Sequence, residues 1–397
     1  MNAGSDCPSL RSMIERLIAC DTVSSSADPN LDHSNRPVID LIAEWAEGLG
    51  FRTELFEVRG EKDKYNLVAT LGEGPGGLVL GGHADTVPWD AHRWTIDPFR
   101  ATERDGRLYG LGSCDMKSFL ALSVEAARRY APSRPSRPLH LVVTADEETT
   151  MSGARALAAG GELQAEAAVI GEPTMLKPVR MHKGIFFDRV RLVGCAGHSS
   201  DPAYGNSAID GMHTVMSALY ELRAELAATQ RNKAFRVPGP TLNLGAIHGG
   251  DNPNRICGEC DLSYDLRILP GMDLDEQRQA VRDRIRAAVA DTGLDVHFDT
   301  LFTGTPPAET AADTPIIRAA EELTGETARA VAFGTEAAFY QQAGMDVVIL
   351  GPGSIAQAHQ PDEFVALEQL DAGVELLGGL IERFCGDTAT TDTRRVG

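Results

Sequence analysis

Short, almost wholly apolar runs recur at Leu78 to Gly82, Leu139 to Thr144, Ala167 to Ile170 and Val347 to Leu350, and they restrict the fold of this chain more than any other feature. A run of roughly four to eight apolar residues without alternation is a strand covered on both faces. Such strands need helices on either side of their sheet, and helical spacing at Lys117 to Tyr130, Gly153 to Ala159 and Thr314 to Leu323 provides them. The pattern predicts an α/β fold with a mainly parallel sheet. Ligands of such sheets gather beyond the carboxyl ends of the strands. That is where this chain places its polar clusters: His83, Ala84 and Asp85 follow the first run, Asp146, Glu147 and Glu148 the second, Glu172 the third, and His359 comes after the fourth.

With 397 residues the chain exceeds one ordinary compact core, so two domains, or one domain with a sizeable insertion, are expected. The N-terminal part reads as an amphipathic helix carrying Leu10, Met13, Ile14, Leu17 and Ile18, a polar loop from Ser24 to Asn35, a helix from Arg36 to Leu49 closed by Gly50, and strands at Thr53 to Val58 and Asn66 to Leu71. Beyond Lys183 the texture changes. Ile185 to Val193, a helix from Ala208 to Leu226, strands near Leu242 to Ile247 and Ile256 to Ile268, a helix from Asp275 to Ala290 and a strand around Val296 to Phe298 follow in turn. That order, strand-helix-strand-strand-helix-strand, predicts a small ferredoxin-like α+β domain. After Gly304 the first pattern resumes. The expected organisation is one domain in two parts, 1–183 and 301–386, an inserted domain at 184–300, and a disordered tail at 387–397.

Composition narrows the partners. A formal charge of -20, from 37 basic and 57 acidic side chains, repels nucleic-acid phosphates and anionic lipid, so neither nucleic acid nor a membrane is an expected partner. Seven scattered cysteines make a poor disulfide framework and suit a reducing compartment. Cys257 and Cys260 form a C-x-x-C, but with no second pair, and within a strand-like segment, they read as strand residues rather than a zinc site. No run approaches the ~18 apolar residues of a membrane span, and the cytoplasm is the expected location.

Taken singly, a histidine at a strand end or a Glu-Glu pair in a loop has a structural reading. Five such segments converging on one rim favour a site. The fifth is Asp115, in the Gly-rich turn Gly110 to Met116 that opens a helix. A zinc-type ion takes three or four nitrogen or oxygen ligands, so His83, Asp115, Glu148, Glu172 and His359, with one carboxylate shared, provide for two ions. Two ions about 3.5 to 4 Å apart clamp an attacking hydroxide and an acyl oxygen together. Asp85, two residues beyond His83, is placed to accept the second ring N–H of that imidazole. Glu147, beside a ligand but free of that duty, is placed to act as general base.

The segments Gly82 to Pro88 (GHADTVP), Gly110 to Lys117 (GLGSCDMK), Asp146-Glu147-Glu148 and Gly171 to Thr174 (GEPT) resemble the aminoacylase and succinyl-diaminopimelate desuccinylase family of dinuclear metallohydrolases, over nearly the whole chain. The resemblance implies an α/β catalytic domain with an inserted lid domain that mediates dimerisation. It implies two divalent ions, Zn2+ or alternatively Co2+, with Asp115 bridging, His83 and Glu172 on one ion, and Glu148 and His359 on the other. Glu147 would be general base and acid, and His198, in Gly197-His198-Ser199-Ser200, would stabilise the tetrahedral oxyanion of a neighbouring active site. One departure is visible: Ser118 stands where the family commonly has Gly after Met-Lys.

Within the family, HSSDP at His198 to Pro202, GTEA at Gly334 to Ala337 and GPGSIAQAHQPDE at Gly351 to Glu363 resemble the branch that removes acetate from N2-acetylornithine. A small N-acyl amino acid is thus the expected partner, in a homodimer. By resemblance Asn254 and Arg267 hold the substrate carboxylate, a task suited to a guanidinium fork, although Arg267 also reads as a strand residue paired with Asp265 or Glu259. Thr335 and Glu336 are expected to line the pocket, Glu336 facing a cationic side chain. Acetylcitrulline, succinyl-diaminopimelate, another N-acyl amino acid or a dipeptide remain open as substrates, as does a non-catalytic metal-binding protein of the same fold.

Overall fold

The structure is a computed structural model that describes residues 7–25, 28–131, 135–161 and 163–386. The tail expected at 387–397 lies outside the described residues. The chain forms two compact units, one made of Met1–Arg180, Thr310–Arg329 and Thr335–Gly397, the other of Met181–Glu309 and Ala330–Gly334. Residues 301–309 therefore group with the second unit.

The first unit is built on a sheet whose strands run in the order Arg52–Glu57, Tyr65–Leu71, Leu139–Thr144, Leu78–His83, Ala167–Pro173 and Asp346–Gly351. The last four are mutually parallel, whereas Arg52–Glu57 and Tyr65–Leu71 add on antiparallel. The parallel strands are the apolar runs of the sequence, and Leu78–His83 and Leu139–Thr144 are buried at every position. Leu80, Leu141, Val169 and Val348 meet Phe119, Leu122, Leu377 and Ile381 in one apolar core. Phe119 and Leu122 come from the helix Lys117–Tyr130, and Leu377 and Ile381 from the helix Leu367–Cys385, which packs along it.

Register sets the rim. His83 pairs with Thr144 and Gly81 with Ile170, so the residues that follow each strand emerge at one level. Among the elements that escape the sequence reading are the helix Leu367–Cys385, the short helix Ala337–Gln342, and a small antiparallel sheet of Thr102–Arg104, Arg107–Tyr109 and Phe364–Ala366. Strands of three residues are too short to show a period.

In the second unit Gly184–Val193, Ala208–Thr229, Thr241–Gly249, Glu259–Ile268, Leu274–Ala288 and Asp295–Thr305 follow the expected strand and helix order. The four strands form an antiparallel sheet ordered Thr241–Gly249, Glu259–Ile268, Gly184–Val193, Asp295–Thr305. Numbered along the unit this is 2-3-1-4, the split βαβ arrangement. Leu192, Leu219, Leu262, Leu266 and Ile285 fill the core between sheet and helices.

Candidate active site

The turn before the helix Lys117–Tyr130 delivers Asp115. Gly112 has φ +75, and a Cβ there would lie 2.9 Å from both Thr86 Cγ2 and Lys117 Cδ, so only glycine fits. The buried Glu363 carboxylate receives the N–H groups of Gly112 (3.0 Å), Cys114 (2.7 Å) and Asp115 (2.9 Å). Ser118, the departure noted above, donates its hydroxyl to the Ser113 carbonyl at 2.5 Å and closes the turn from below. Lys117 is fully buried with its ammonium on the Cys20 carbonyl at 2.7 Å, and burial lowers its pKa to about 8.

His83, the last residue of its strand, points its Nε2 at Asp115 Oδ1, 3.2 Å away. Its Nδ1 lies 3.0 Å from the backbone carbonyl of Asp85 and 3.6 Å from the carboxylate. Asp85 is thus the partner of the second ring nitrogen, its carbonyl nearer than its carboxylate. The Asp85 carboxylate has other donors, namely Ser24 Oγ (2.7 Å), Glu147 N (3.2 Å) and Glu148 N (3.1 Å). Asp85 thus orients the imidazole through its main chain and fixes the Glu147-Glu148 loop through its side chain. Asn66 supports the same loop by accepting from Ala145 N (3.1 Å) and donating to the Gly153 carbonyl (2.9 Å).

Two overlapping groups of donors result. Ligand atoms of His83, Glu147 and Glu172 lie within 4.8 Å of one another, as do those of His83, Asp115 and Glu148. His359, half-exposed and in the left-handed region at φ +60, brings Nε2 to 2.9 Å from Glu148 Oε2 and 3.7 Å from Asp115 Oδ2. Burial, reinforced by neighbouring carboxylates, raises the pKa of Glu147, Glu148 and Glu172. The hydrogen bond to Glu148 lifts His359 to about 9. Burial works against the charged form of His83, but its bonds to Asp115 and Asp85 outweigh it and raise its pKa. Glu172 Oε1 is buried without a hydrogen-bond partner among the described residues. Four crowded carboxylates, two imidazoles and an orphaned carboxylate oxygen form a centre short of positive charge, and its donor set fits two divalent cations.

Thr335 and Glu336 are wholly enclosed in the first unit. The Thr335 hydroxyl accepts from Ala337 N at 3.1 Å, and neither carboxylate oxygen of Glu336 has a hydrogen-bond partner among the described residues. Burial raises Glu336 to about 7. A cavity of about 90 Å³ opens beside His359, lined by Trp89, Asp90, Arg93, Trp94 and Leu111 among others. Trp89, Asp90, Arg93 and Trp94 drew no reading in the sequence, Leu111 entered only as part of the Gly110 to Met116 turn, and Glu363 and Ser24 only as the ends of longer segments.

The remaining expected residues belong to the second unit. His198 sits in a two-residue strand pair with Arg255, and Ser199 N donates to the Asn254 carbonyl at 3.1 Å, so the His198 and Asn254 loops are neighbours. Ser200 N donates to His198 Nδ1 at 3.1 Å, with Ser200 Oγ 2.8 Å away. A backbone N–H only donates, so Nδ1 is the acceptor and a neutral ring carries its proton on Nε2. Arg267 lies 3.4 Å from Asp265, while Glu259 is paired with Arg191.

Residues 79–383 match the profile of peptidase family M20/M25/M40. Over 378 residues the chain is 45% identical to the acetylornithine deacetylase of Pasteurella multocida (strain Pm70), covering 95% of this chain and 98% of that one. It is likewise 45% identical to the acetylornithine deacetylase of Vibrio vulnificus (strain CMCP6), over 95% of this chain and 99% of that one. An M20 family metallo-carboxypeptidase from Sulfolobus solfataricus shares the fold, with a TM-score of 0.74 at 16% identity over 94% of this chain and 99% of that one. The profile match and the length of the alignments place this chain in peptidase family M20/M25/M40.

Proposed function

We propose that this protein hydrolyses the amide bond of N2-acetyl-L-ornithine to L-ornithine and acetate. The observation that carries the reading is the pair of donor groups sharing His83, and the substrate is supported by relatives of that activity at 45% identity. His83, Asp115, Glu148, Glu172 and His359 would hold two divalent ions, Zn2+ being suited to this mixed imidazole and carboxylate donor set and Co2+ being the alternative. Bound there, the ions polarise the acyl oxygen and lower the pKa of the attacking water.

Glu147 is general base: it shares one 4.8 Å cluster with His83 and Glu172, and Asp85 anchors its backbone. It takes the proton of the attacking water and returns it to the leaving nitrogen. Asp85 acts behind it by fixing both glutamates and the imidazole. His198 presents its Nε2–H to the developing oxyanion of a neighbouring active site, a task for which the Ser200 contacts preset the ring. Asn254 and Arg267 bind the substrate carboxylate, and Thr335 and Glu336 shape the inner wall of the site. We further propose a homodimer formed through the second unit, whose edge strand Thr241–Gly249 exposes most of its side chains, and a cytoplasmic location, which seven free cysteines support.

Amine release from N-acetylornithine, N-acetylcitrulline, succinyl-diaminopimelate, N-acetylmethionine and a dipeptide tests the assignment on the metal-reconstituted protein. Highest kcat/KM on N-acetylornithine is expected. A different preferred substrate would replace ornithine and leave the chemistry standing, whereas two bound metals without turnover of any compound would remove the enzymatic reading. Size-exclusion chromatography with light scattering checks the dimer.

A further inference from the structure

We propose that Glu363 is the positioning residue of the metal centre, a buried anchor that holds Asp115 in its ligating pose before any ion arrives. The inference rests on the two-metal reading above and adds to it a residue that is itself no ligand. Glu363 is almost completely buried (2% exposed) and lies four positions after His359, at the entry to the strand Phe364–Ala366. Pairing of Phe364 with Tyr109 sets it against the turn that carries Asp115.

Five hydrogen bonds then join the two segments. Oε1 receives the N–H of Cys114 and of Asp115, Oε2 that of Gly112, and the Glu363 carbonyl receives Gly110 N (3.0 Å) and Ser113 Oγ (3.2 Å). A buried carboxylate satisfied by three backbone donors is a rigid anchor, since each orphaned N–H would carry a desolvation penalty. One residue thereby ties the Asp115 turn to the His359 loop, two ligand segments far apart in sequence.

Substitution separates this role from a bland packing role. In Glu363→Gln the amide oxygen can serve only one of the two carboxylate positions, so an NH2 group faces a backbone N–H wherever it turns. Partners behind metal ligands typically affect affinity by about 10- to 100-fold. We expect Glu363→Gln to weaken both Zn2+ dissociation constants, measured by chelator competition on the full-length metal-free protein, by about tenfold or more. The absorption spectrum of the Co2+ form should change, and Glu363→Asp, which keeps the carboxylate, should lie between Gln and wild type. Melting of each metal-free variant is followed in parallel.

A lower melting temperature with wild-type Zn2+ constants and an unchanged Co2+ spectrum would overturn the proposal, because packing alone accounts for that result. If Glu363→Gln does not fold, the Asp variant decides: unaltered metal constants overturn the proposal and weakened ones support it. Should the wild type itself bind no metal, the two-metal reading falls first and takes this inference with it. Two tight ions in both wild type and Glu363→Gln would remove only the role of Glu363.

Discussion

At the scale of single residues, chemistry here depends on how side chains are aimed. His198 accepts at Nδ1 from Ser200 N, which leaves Nε2–H as its donor. His198→Ala should therefore lower kcat on N-acetylornithine by about 10²-fold or more, with a smaller effect on KM. Steady-state kinetics check this, and an unaltered kcat would take His198 out of the reaction. Glu147→Gln should reduce kcat by about 10²- to 10⁴-fold while the protein still takes up two ions, counted by elemental analysis. Residue types were legible in the sequence: His83, Glu147, Glu148 and Glu172 stand where buried strands end, and Asp115 where a helix begins. Their wiring was not. That the Asp85 carboxylate meets Ser24 and two backbone amides, while its carbonyl meets His83, depends on loops from three places in the chain.

At the scale of elements, legibility follows period and length. Lys117–Tyr130 and Leu139–Thr144 were read to the residue. The helix Leu367–Cys385 buries Leu370, Val374, Leu377 and Ile381 at ordinary helical spacing, yet it was overlooked behind the ligand-bearing segment that precedes it. Leu377→Ala should cost about 2–5 kcal/mol, read as a lower denaturation midpoint at fixed metal concentration. The strand Leu139–Thr144 carries another test. Burial, with the charge of Arg52, lowers His140 to about 4, whereas an unfolded histidine titrates near ~6.5. The unfolded chain then binds more protons, so stability is whole above about pH 6.5 and is lost as the pH falls toward 4, by at most about 3 kcal/mol. His182 in the second unit is lowered to about 4 by burial in the same way. Melting temperatures from pH 7 to 4.5 should therefore fall less steeply in His140→Leu than in wild type, and equal slopes would refute the assignment.

At the scale of the whole molecule, two units of different architecture share one chain, and among the described residues the groups of metal-type donors lie in the first. Crowded anions oppose folding until cations join them. Chelation should lower the melting temperature, since saturation at roughly 100 times the dissociation constant contributes about 2.7 kcal/mol. Calorimetry with and without chelator measures it, and identical transitions would contradict the metal centre. The change of texture was read at residue 183 and the second unit begins at Met181, while the brief return of Ala330–Gly334 to it had no signal in the sequence.

The first unit is discontinuous, and this gives its assembly an order in time. A ribosome releases His83, Asp115, Glu148 and Glu172 before any of the second unit, and His359 and Glu363 only after all of it. During that interval the nascent strands present a half-built, strongly acidic pocket whose Asp115 turn lacks its anchor and whose Glu148 lacks its imidazole. On the two-metal reading, the full donor set would exist only once synthesis has passed Glu363.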